Sequence, residues 1–367
     1  MFQIMLEQIK GGTKKKIKYC KLDRVNAGIQ VMLVYGTSRK HSKLAASNSD
    51  IFFSLVDYRN TLFTSKDPDK IIEFYSGFEN REQLIQWMIE RPNGISKIHE
   101  IEGDKDIIVV ILTADFEGEY SKKCRDEIFT GLHMIFIESG EKPDPYFNIS
   151  HNANIGLQKA LEYNPKWIID AGDDMYKIDD VTALVSQLRR IDNSKIDSVF
   201  TSPNSYHSTP SFIRTPNLFF SPTLYFLGIF SRRFRYTYKL VLQLKRLNKR
   251  IYLARRDYKI GLVPKLINIF LFRKLKYFTN MISFAIFSSK FINEFSGSPY
   301  DELYINEMEE TNLSLLLSQH NSESVFIDYQ IGQHVGTSLG NDIVRTLRVL
   351  PSYSYFSYKI EKGDLSL

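Results

Sequence analysis

Three uninterrupted apolar runs, separated by segments of helical character, constrain this 367-residue chain more than any other feature. They are Asp106-Ile107-Ile108-Val109-Val110-Ile111-Leu112, His133-Met134-Ile135-Phe136-Ile137 and Trp167-Ile168-Ile169. A strand with one wet face alternates apolar and polar residues, whereas a run without alternation is buried on both faces, as in a parallel sheet covered by helices. The segments between the runs, Tyr120 to Leu132 and Asn154 to Tyr163, read as those helices. Strand, helix, strand, helix, strand predicts an α/β fold: a mostly parallel central sheet, Rossmann-like, with helices on both faces. Ligands of such sheets bind beyond the C-terminal strand ends.

The residues at those ends are therefore informative. The first run ends in Thr113-Ala114-Asp115, the second in Glu138-Ser139-Gly140 and the third in Asp170-Ala171-Gly172-Asp173-Asp174. Each edge carries an acid. Three carboxylates crowded at the end of a buried strand repel one another, and a divalent cation with its need for hard oxygen ligands relieves that repulsion. The alternative is a polar turn leading to a helix that starts near Asp179 with an Asp cap.

Bulk properties exclude several classes. With 43% hydrophobic and 25% charged residues the chain is an ordinary globular protein. Cys20 and Cys124 cannot build a disulfide framework, so a reducing cytoplasm is the expected home. The opening Met1 to Leu6 is too short for a signal-peptide core, and no uncharged apolar run reaches the ~18 residues of a membrane span. The first residues are lysine-rich and read as a loose arm. Gln30 to Tyr35 and Ile51 to Val56 read as strands, and helices are expected over about 69–77 and 80–90, the first opened by Asp67-Pro68. Residues 1–104 are expected as an N-terminal extension or small accessory domain, 105–345 as the main domain and 346–367 as a tail.

One stretch departs from the rest. Residues 212–292 hold 17 Lys or Arg against one acid, Asp257, while the whole chain has a net charge of only +6. Aromatic and aliphatic residues interleave with the charges, as in Phe230-Ser231-Arg232-Arg233-Phe234-Arg235-Tyr236. This reads as a basic helical insert suited to an anionic membrane surface. A plain basic surface over buried aromatics is the other reading. Basic residues with aromatics also suit nucleic acid, but no known binding motif is present and no nucleic-acid partner is expected.

From about Asp106 to Gly340 the chain resembles the inverting, metal-dependent glycosyltransferases of family 2, which have the GT-A fold. Ile108 to Asp115 is similar to the family's first nucleotide-binding strand and loop, with Leu112 where a proline is usual. Ile135 to Gly140 is similar to the second strand, whose terminal acid contacts the nucleoside, and Asn152-Ala153-Asn154-Ile155-Gly156 to the asparagine–glycine segment opening the next helix. Asp170 to Asp174 stands in place of the DxD-type metal motif, although Gly172 separates Asp170 from the pair. Gly297-Ser298-Pro299-Tyr300-Asp301-Glu302 resembles the glycine–Phe–Asp–Glu turn. Glu309-Glu310-Thr311-Asn312-Leu313 resembles the Glu-Asp-x-Asp-Leu motif of the catalytic base, with Glu310 and Asn312 replacing its two Asp residues. Ile331 to Val335 resembles the late segment whose histidine approaches the metal or diphosphate.

The resemblance implies transfer of one sugar from a nucleoside diphosphate sugar, UDP- or GDP-linked, to an acceptor hydroxyl of a glycan or a lipid-linked molecule. It implies Mn²⁺ or Mg²⁺ on Asp174, Asp173 and Asp170, in that order of preference, with His334 as a further ligand. Thr113, Asp115, Glu138, Asn154 and Asp173 would contact the nucleotide sugar, and Glu310 or Glu309 would be the base. Without the resemblance, Glu309 and Glu310 read as the solvated face of an amphipathic helix built on Leu303, Ile305, Met308, Leu313, Leu316 and Leu317. The competing functions are a nucleotidyltransferase, which would need a glycine-rich basic loop where Thr113 to Glu119 is acidic, and a non-catalytic nucleotide- or membrane-binding protein derived from a transferase. The expected location is cytoplasmic, peripheral on the membrane face.

Overall fold

The computed structural model describes residues 61–140, 144–201, 210–214, 220–248, 252–256, 273–277, 283–319, 322–334 and 342–365. The lysine-rich arm and the strands expected before residue 57 lie outside them. After one helical turn at Thr61–Thr64 come helices α1 (Pro68–Ser76) and α2 (Arg81–Glu90), followed by β1 (Ser96–Ile101), β2 (Asp104–Thr113), α3 (Glu119–Lys123) and β3 (Leu132–Ser139). Next are α4 (Ile149–Leu161), β4 (Trp167–Gly172), β5 (Met175–Lys177), α5 (Val181–Leu188) and β6 (Ser198–Thr201). The insert holds β7 (Pro210–Arg214), α6 (Phe220–Phe230), α7 (Arg232–Leu247), β8 (Tyr252–Arg256) and β9 (Arg273–Tyr277). The chain closes with β10 (Phe284–Ser288), α8 (Ser289–Glu294), α9 (Glu309–Gln319), β11 (Ser324–Ile327), β12 (Ile331–Gln333), α10 (Asp342–Arg348) and α11 (Leu350–Lys362).

The fold is α/β, built on a mixed, mostly parallel seven-stranded sheet in the order β1-β3-β2-β4-β10-β6-β11. β3, β2 and β4 are parallel neighbours, and β6 pairs in parallel with β11. β10 runs antiparallel between β4 and β6, and β1 antiparallel along β3. β2 is central and buried on both faces, as its continuous apolar run requires. Ile107, Val109 and Ile111 enter one core with Cys124, Leu184 and Leu188; Ile108 and Val110 enter the other with Leu157 and Leu313. Helix α4 packs closely because residue 156 is glycine: a Cβ there would lie 2.3 Å from Val110 Cγ1.

Local signals place the element ends. Asp67 accepts from the Asp69 N–H and Pro68 opens α1, as expected. The helix expected over Tyr120 to Leu132 is shorter: α3 gives way to a π-turn at Cys124–Ile128, and Gly131 at φ +87° turns the chain into β3. Helix α4 starts five residues before the expected Asn154, where Asn148 caps it by accepting from the His151 N–H.

The expected borders do not divide the described chain. Residue 104 lies in β2, and β1 is part of the same sheet. Helices α1 and α2, expected in an accessory domain, and α10 and α11, expected as a tail, share a third core with α7; Phe74, Trp87, Leu240, Tyr304, Leu347 and Phe356 meet there. The insert is also not purely helical, because β7 pairs antiparallel with β8 on one side and β9 on the other. Among the described residues no helix is long and apolar enough to cross a membrane.

Candidate functional site

Because β2, β3 and β4 are parallel neighbours, their C-terminal ends meet at one edge: Thr113 lies opposite Glu138, and Leu112 opposite Gly172. The turn after β4 is tied down atom by atom. The Asp173 N–H donates to the Leu112 carbonyl at 3.0 Å, and the Cys124 thiol donates to the Asp173 carbonyl at 3.3 Å. The Thr113 hydroxyl donates to Asp173 Oδ2 at 2.6 Å, while Thr113 Oγ1 accepts from the Asp115 N–H at 2.9 Å. Three residues predicted on the nucleotide side, Thr113, Asp115 and Asp173, thus form one unit.

Asp174 is held from the opposite direction. Its carbonyl accepts from the His334 N–H at 2.7 Å, and its Oδ1 accepts from Gln333 Nε2 at 2.9 Å. These bonds exist because β12 pairs with β5, placing Gly332 against Tyr176. Gly332 leaves room for the Tyr176 ring to lie across it, since a Cβ at residue 332 would fall 2.0 Å from Tyr176 Cζ. The His334 ring packs near those of Tyr176 and Tyr120, at centroid separations of 4.8 and 5.8 Å.

Burial disfavours both anions of this pair. It pushes Asp173 up to about 6 against the lowering effect of the Thr113 hydroxyl, with Asp174 and Asp115 adding repulsion. Burial likewise raises Asp174, opposed by the Gln333 bond. Adjacent carboxylates oriented by neutral donors suit a hard divalent cation, although the Arg345 guanidinium already offsets part of the charge on Asp174. Among the described residues no three His, Cys, Asp or Glu side chains are gathered as a metal cage. Mg²⁺ takes one or two carboxylates and retains waters, so the pair fits that cation.

Asp170, expected third in the metal set, has a different partner. Strand alternation sends Ile169 and Ala171 to one core and Ile168 to the other, so Asp170 goes with Ile168 to the α9 side. There the Tyr300 hydroxyl donates to Asp170 Oδ2 at 2.6 Å, and burial pushes this acid up to about 6.

The two glutamates lie on that same side. Helix α9 begins only at Glu309; Leu303 and Ile305 precede it in turns, and Glu307 and Met308 adopt φ of +70° and +75°. Consecutive non-glycine residues in the left-handed region cost on the order of 1–3 kcal/mol each, the strain found at functional sites. Neither acid is a solvated helix face. Glu309 is only 6% exposed, and its Oε2 has no hydrogen-bond partner among the described residues. Burial, and then Glu310, Glu307 and Asp170, hold the Glu309 carboxyl well above the usual range. Glu310 is half-buried and accepts from the Ser283 N–H, and the Ser283 carbonyl accepts from the Gly172 N–H at 3.3 Å. One residue, Ser283, therefore links the acid turn after β4 to Glu310.

A stability profile follows from Glu309. Unfolded, it ionises near the ordinary 4.5; folded, it keeps its proton to higher pH. Between those values the folded state binds more protons, so stability falls as pH rises. The melting temperature is expected to decline from about pH 5 toward neutrality, with a flatter slope in Glu309→Gln. Equal slopes in the two proteins would refute a buried, proton-holding Glu309.

No family model matches the chain, and no curated protein matches it.

The remaining predicted residues are placed as follows. Glu138 sits at the same strand edge as Thr113, its carboxylate 3.1 Å from His99 Nε2 on β1. Asn154 is fully buried: its Nδ2 donates to the Tyr300 carbonyl at 2.9 Å and its Oδ1 accepts from the Tyr300 N–H at 3.1 Å. It therefore positions the turn that presents Tyr300 to Asp170. Asp301 accepts from Tyr355 and Lys359, each at 2.9 Å, and pins the same turn to α11. Asn312 is buried, with its Oδ1 accepting from the Tyr304 hydroxyl at 3.3 Å. Sequence reasoning missed Tyr300, Gln333 and Ser283 as partners of the acids. The first two sit inside recognised segments, but Ser283 carries no sequence signal.

Proposed function

We propose that this chain is a metal-dependent, inverting glycosyltransferase of GT-A architecture that moves one sugar from a UDP- or GDP-linked donor to an acceptor hydroxyl. The observation that carries this reading is the link from the Asp173-Asp174 turn through Ser283 to Glu310. It puts a paired-carboxylate site one residue away from a half-buried glutamate, at the ligand-binding edge of the sheet. The strand order supports it as well: parallel β3-β2-β4 followed by antiparallel β10.

In this reading Thr113 and Gln333 orient Asp173 and Asp174, which with His334 would hold Mg²⁺ or Mn²⁺. The cation supplies neutralisation of the leaving diphosphate. Asp115 and Glu138 face the nucleoside. Glu310 takes the proton of the acceptor hydroxyl as its oxygen attacks the anomeric carbon. The bond from that carbon to the diphosphate oxygen breaks with its electron pair leaving on the diphosphate, and the configuration inverts. Glu309, which keeps its proton, is not a base and holds the helix start. The acceptor is a glycan or lipid-linked hydroxyl, and the setting is cytoplasmic.

The test is a thermal-shift panel of UDP, GDP and their sugar conjugates, with and without Mn²⁺. Binding stabilises by about 2.7 kcal/mol at a hundredfold excess over Kd. The expected result is a shift that needs both the metal and one nucleotide and that the double substitution Asp173→Ala, Asp174→Ala removes. No shift with any nucleotide would overturn the proposal.

A further inference from the structure

The hairpin α6–α7 shows an arrangement that a protein surrounded only by water has no reason to keep. Helix α7 is anchored by one stripe: Tyr236, Leu240, Leu244 and Leu247 are buried in the core shared with α1, α10 and α11. Its other contacts reinforce that anchorage, with Lys239 and the Tyr236 hydroxyl both bonded to Asp69 and Arg246 donating to the Tyr75 and Phe78 carbonyls. The hairpin is thus firmly held on one side.

Helix α6 is different. Its sequence, Phe220 to Phe230, contains no charge. It meets α7 at Gly228, where a Cβ would come 3.0 Å from Arg235 Cα, and the Arg235 Nε–H donates to the Gly228 carbonyl at 3.4 Å. The side chains around that contact point outward. Tyr225 is 59% exposed, Phe226 61%, Ile229 58% and Phe230 76%. The 225/229 and 226/230 spacings put these residues on adjoining rows of one helix face. Phe234 is exposed just beyond the turn. Scattered exposed hydrophobics are ordinary; a contiguous aromatic face on an uncharged helix marks an interaction surface.

The charges say which partner. Arg232, Arg233 and Arg235 are exposed and follow directly on the aromatic helix end, and no Asp or Glu occurs anywhere from Phe220 to Leu247. Aromatics that sink to the headgroup boundary beside guanidinium groups at the phosphate level are the chemistry of an anionic bilayer surface. A second protein would need an acidic rim matched around a fixed aromatic pocket; a fluid anionic surface needs no such match.

Topology also places this hairpin usefully. The insert leaves the sheet at the end of β6 and re-enters at the start of β10. Those are the ends aligned with the C-terminal end of β4, since Phe284 pairs with Ala171 and β6 runs antiparallel to β10. The excursion therefore springs from the edge that carries Asp173 and Asp174.

We infer that the α6–α7 hairpin is a peripheral docking device that inserts Tyr225, Phe226, Ile229 and Phe230 into an anionic lipid surface held by Arg232, Arg233 and Arg235. This inference does not depend on the transferase reading. At 11 residues α6 is too short to span a bilayer, so attachment through this hairpin is interfacial. Each basic residue near such a surface strengthens binding about fivefold, and that contribution is screened by salt.

The experiment is co-flotation of the full chain with phosphatidylcholine vesicles, with and without phosphatidylglycerol, at low and high salt. Binding is expected to anionic vesicles at low salt and to weaken at high salt. The double variant Phe226→Asp, Phe230→Asp is expected to lose flotation. The variant Arg232→Glu, Arg233→Glu should bind at least about 25-fold more weakly to anionic vesicles, two fivefold contributions multiplied. All four positions are exposed, so unchanged circular dichroism and melting temperature in the variants check that the fold is kept. No flotation of the parent protein, or flotation that both variants retain, overturns the proposal. Concentration-dependent dimerisation without lipid, abolished by the aromatic substitutions, would also overturn it by showing that a second copy covers this face.

Discussion

Glu310→Gln is expected to lower sugar transfer by about 10²–10⁴-fold while metal-dependent nucleotide binding persists. The amide keeps the size of the side chain and an oxygen to accept from the Ser283 N–H, so the local backbone has no reason to move. What is lost is the ability to take a proton. The neighbouring glutamate gives the control. Glu309 is buried, and that burial keeps its carboxyl protonated above the ordinary range, so Glu309→Gln should leave turnover within about tenfold of the parent and change chiefly the pH dependence of stability. The measurement is single-turnover transfer with the donor that the thermal-shift panel identifies. If Glu309→Gln were the silent enzyme and Glu310→Gln the active one, the assignment of the base would be reversed. If both retained full rates, the base would have to be sought elsewhere.

The second large effect separates the acids of the turn after β4. Asp174→Asn is expected to lower turnover by about 10³-fold, corresponding to roughly 4 kcal/mol of charge neutralisation on the leaving group. The Gln333 and His334 contacts hold Asp174 from β12, so the change removes charge more than it disturbs shape. Asp170→Asn is expected to behave otherwise. Its oxygen accepts from the Tyr300 hydroxyl on the α9 side of the sheet, and an asparagine oxygen accepts equally well. The Mn²⁺ concentration that gives half-maximal activity should be unchanged in Asp170→Asn and raised strongly in Asp174→Asn. An equal rise in both would return Asp170 to the metal set.

These contrasts arise from a geometry that periodicity reports only in part. Val109, Val110 and Ile111 announce a doubly buried strand whatever surrounds them, because alternation would be required if either face were wet. The same logic makes the ends of β2, β3 and β4 legible as one edge, and Thr113, Asp115, Asp173 and Asp174 do meet there. A cap such as Asp67 before Pro68 is equally local, and its helix begins as written. Asp170 shows where local reading stops. It lies three residues from Asp173, yet strand alternation sends it to the other face, and the turn then carries Asp173 and Asp174 to their own partners.

The chain by itself determined the class of fold, the face each strand residue takes and the edge at which acids collect, because hydrophobic periodicity and caps act over a few residues. Tertiary structure alone decided which acids are paired and which stay protonated. Ser283 reaches Glu310 across 27 positions and Gln333 reaches Asp174 across 159, and no local pattern encodes such contacts. It also decided that α1, α2, α10 and α11 share one core with α7 rather than forming an extension and a tail. Desolvation depends on the whole of the surrounding packing, so the burial that raises Glu309 and the exposure that leaves Phe226 and Phe230 in solvent appear only once the chain is folded.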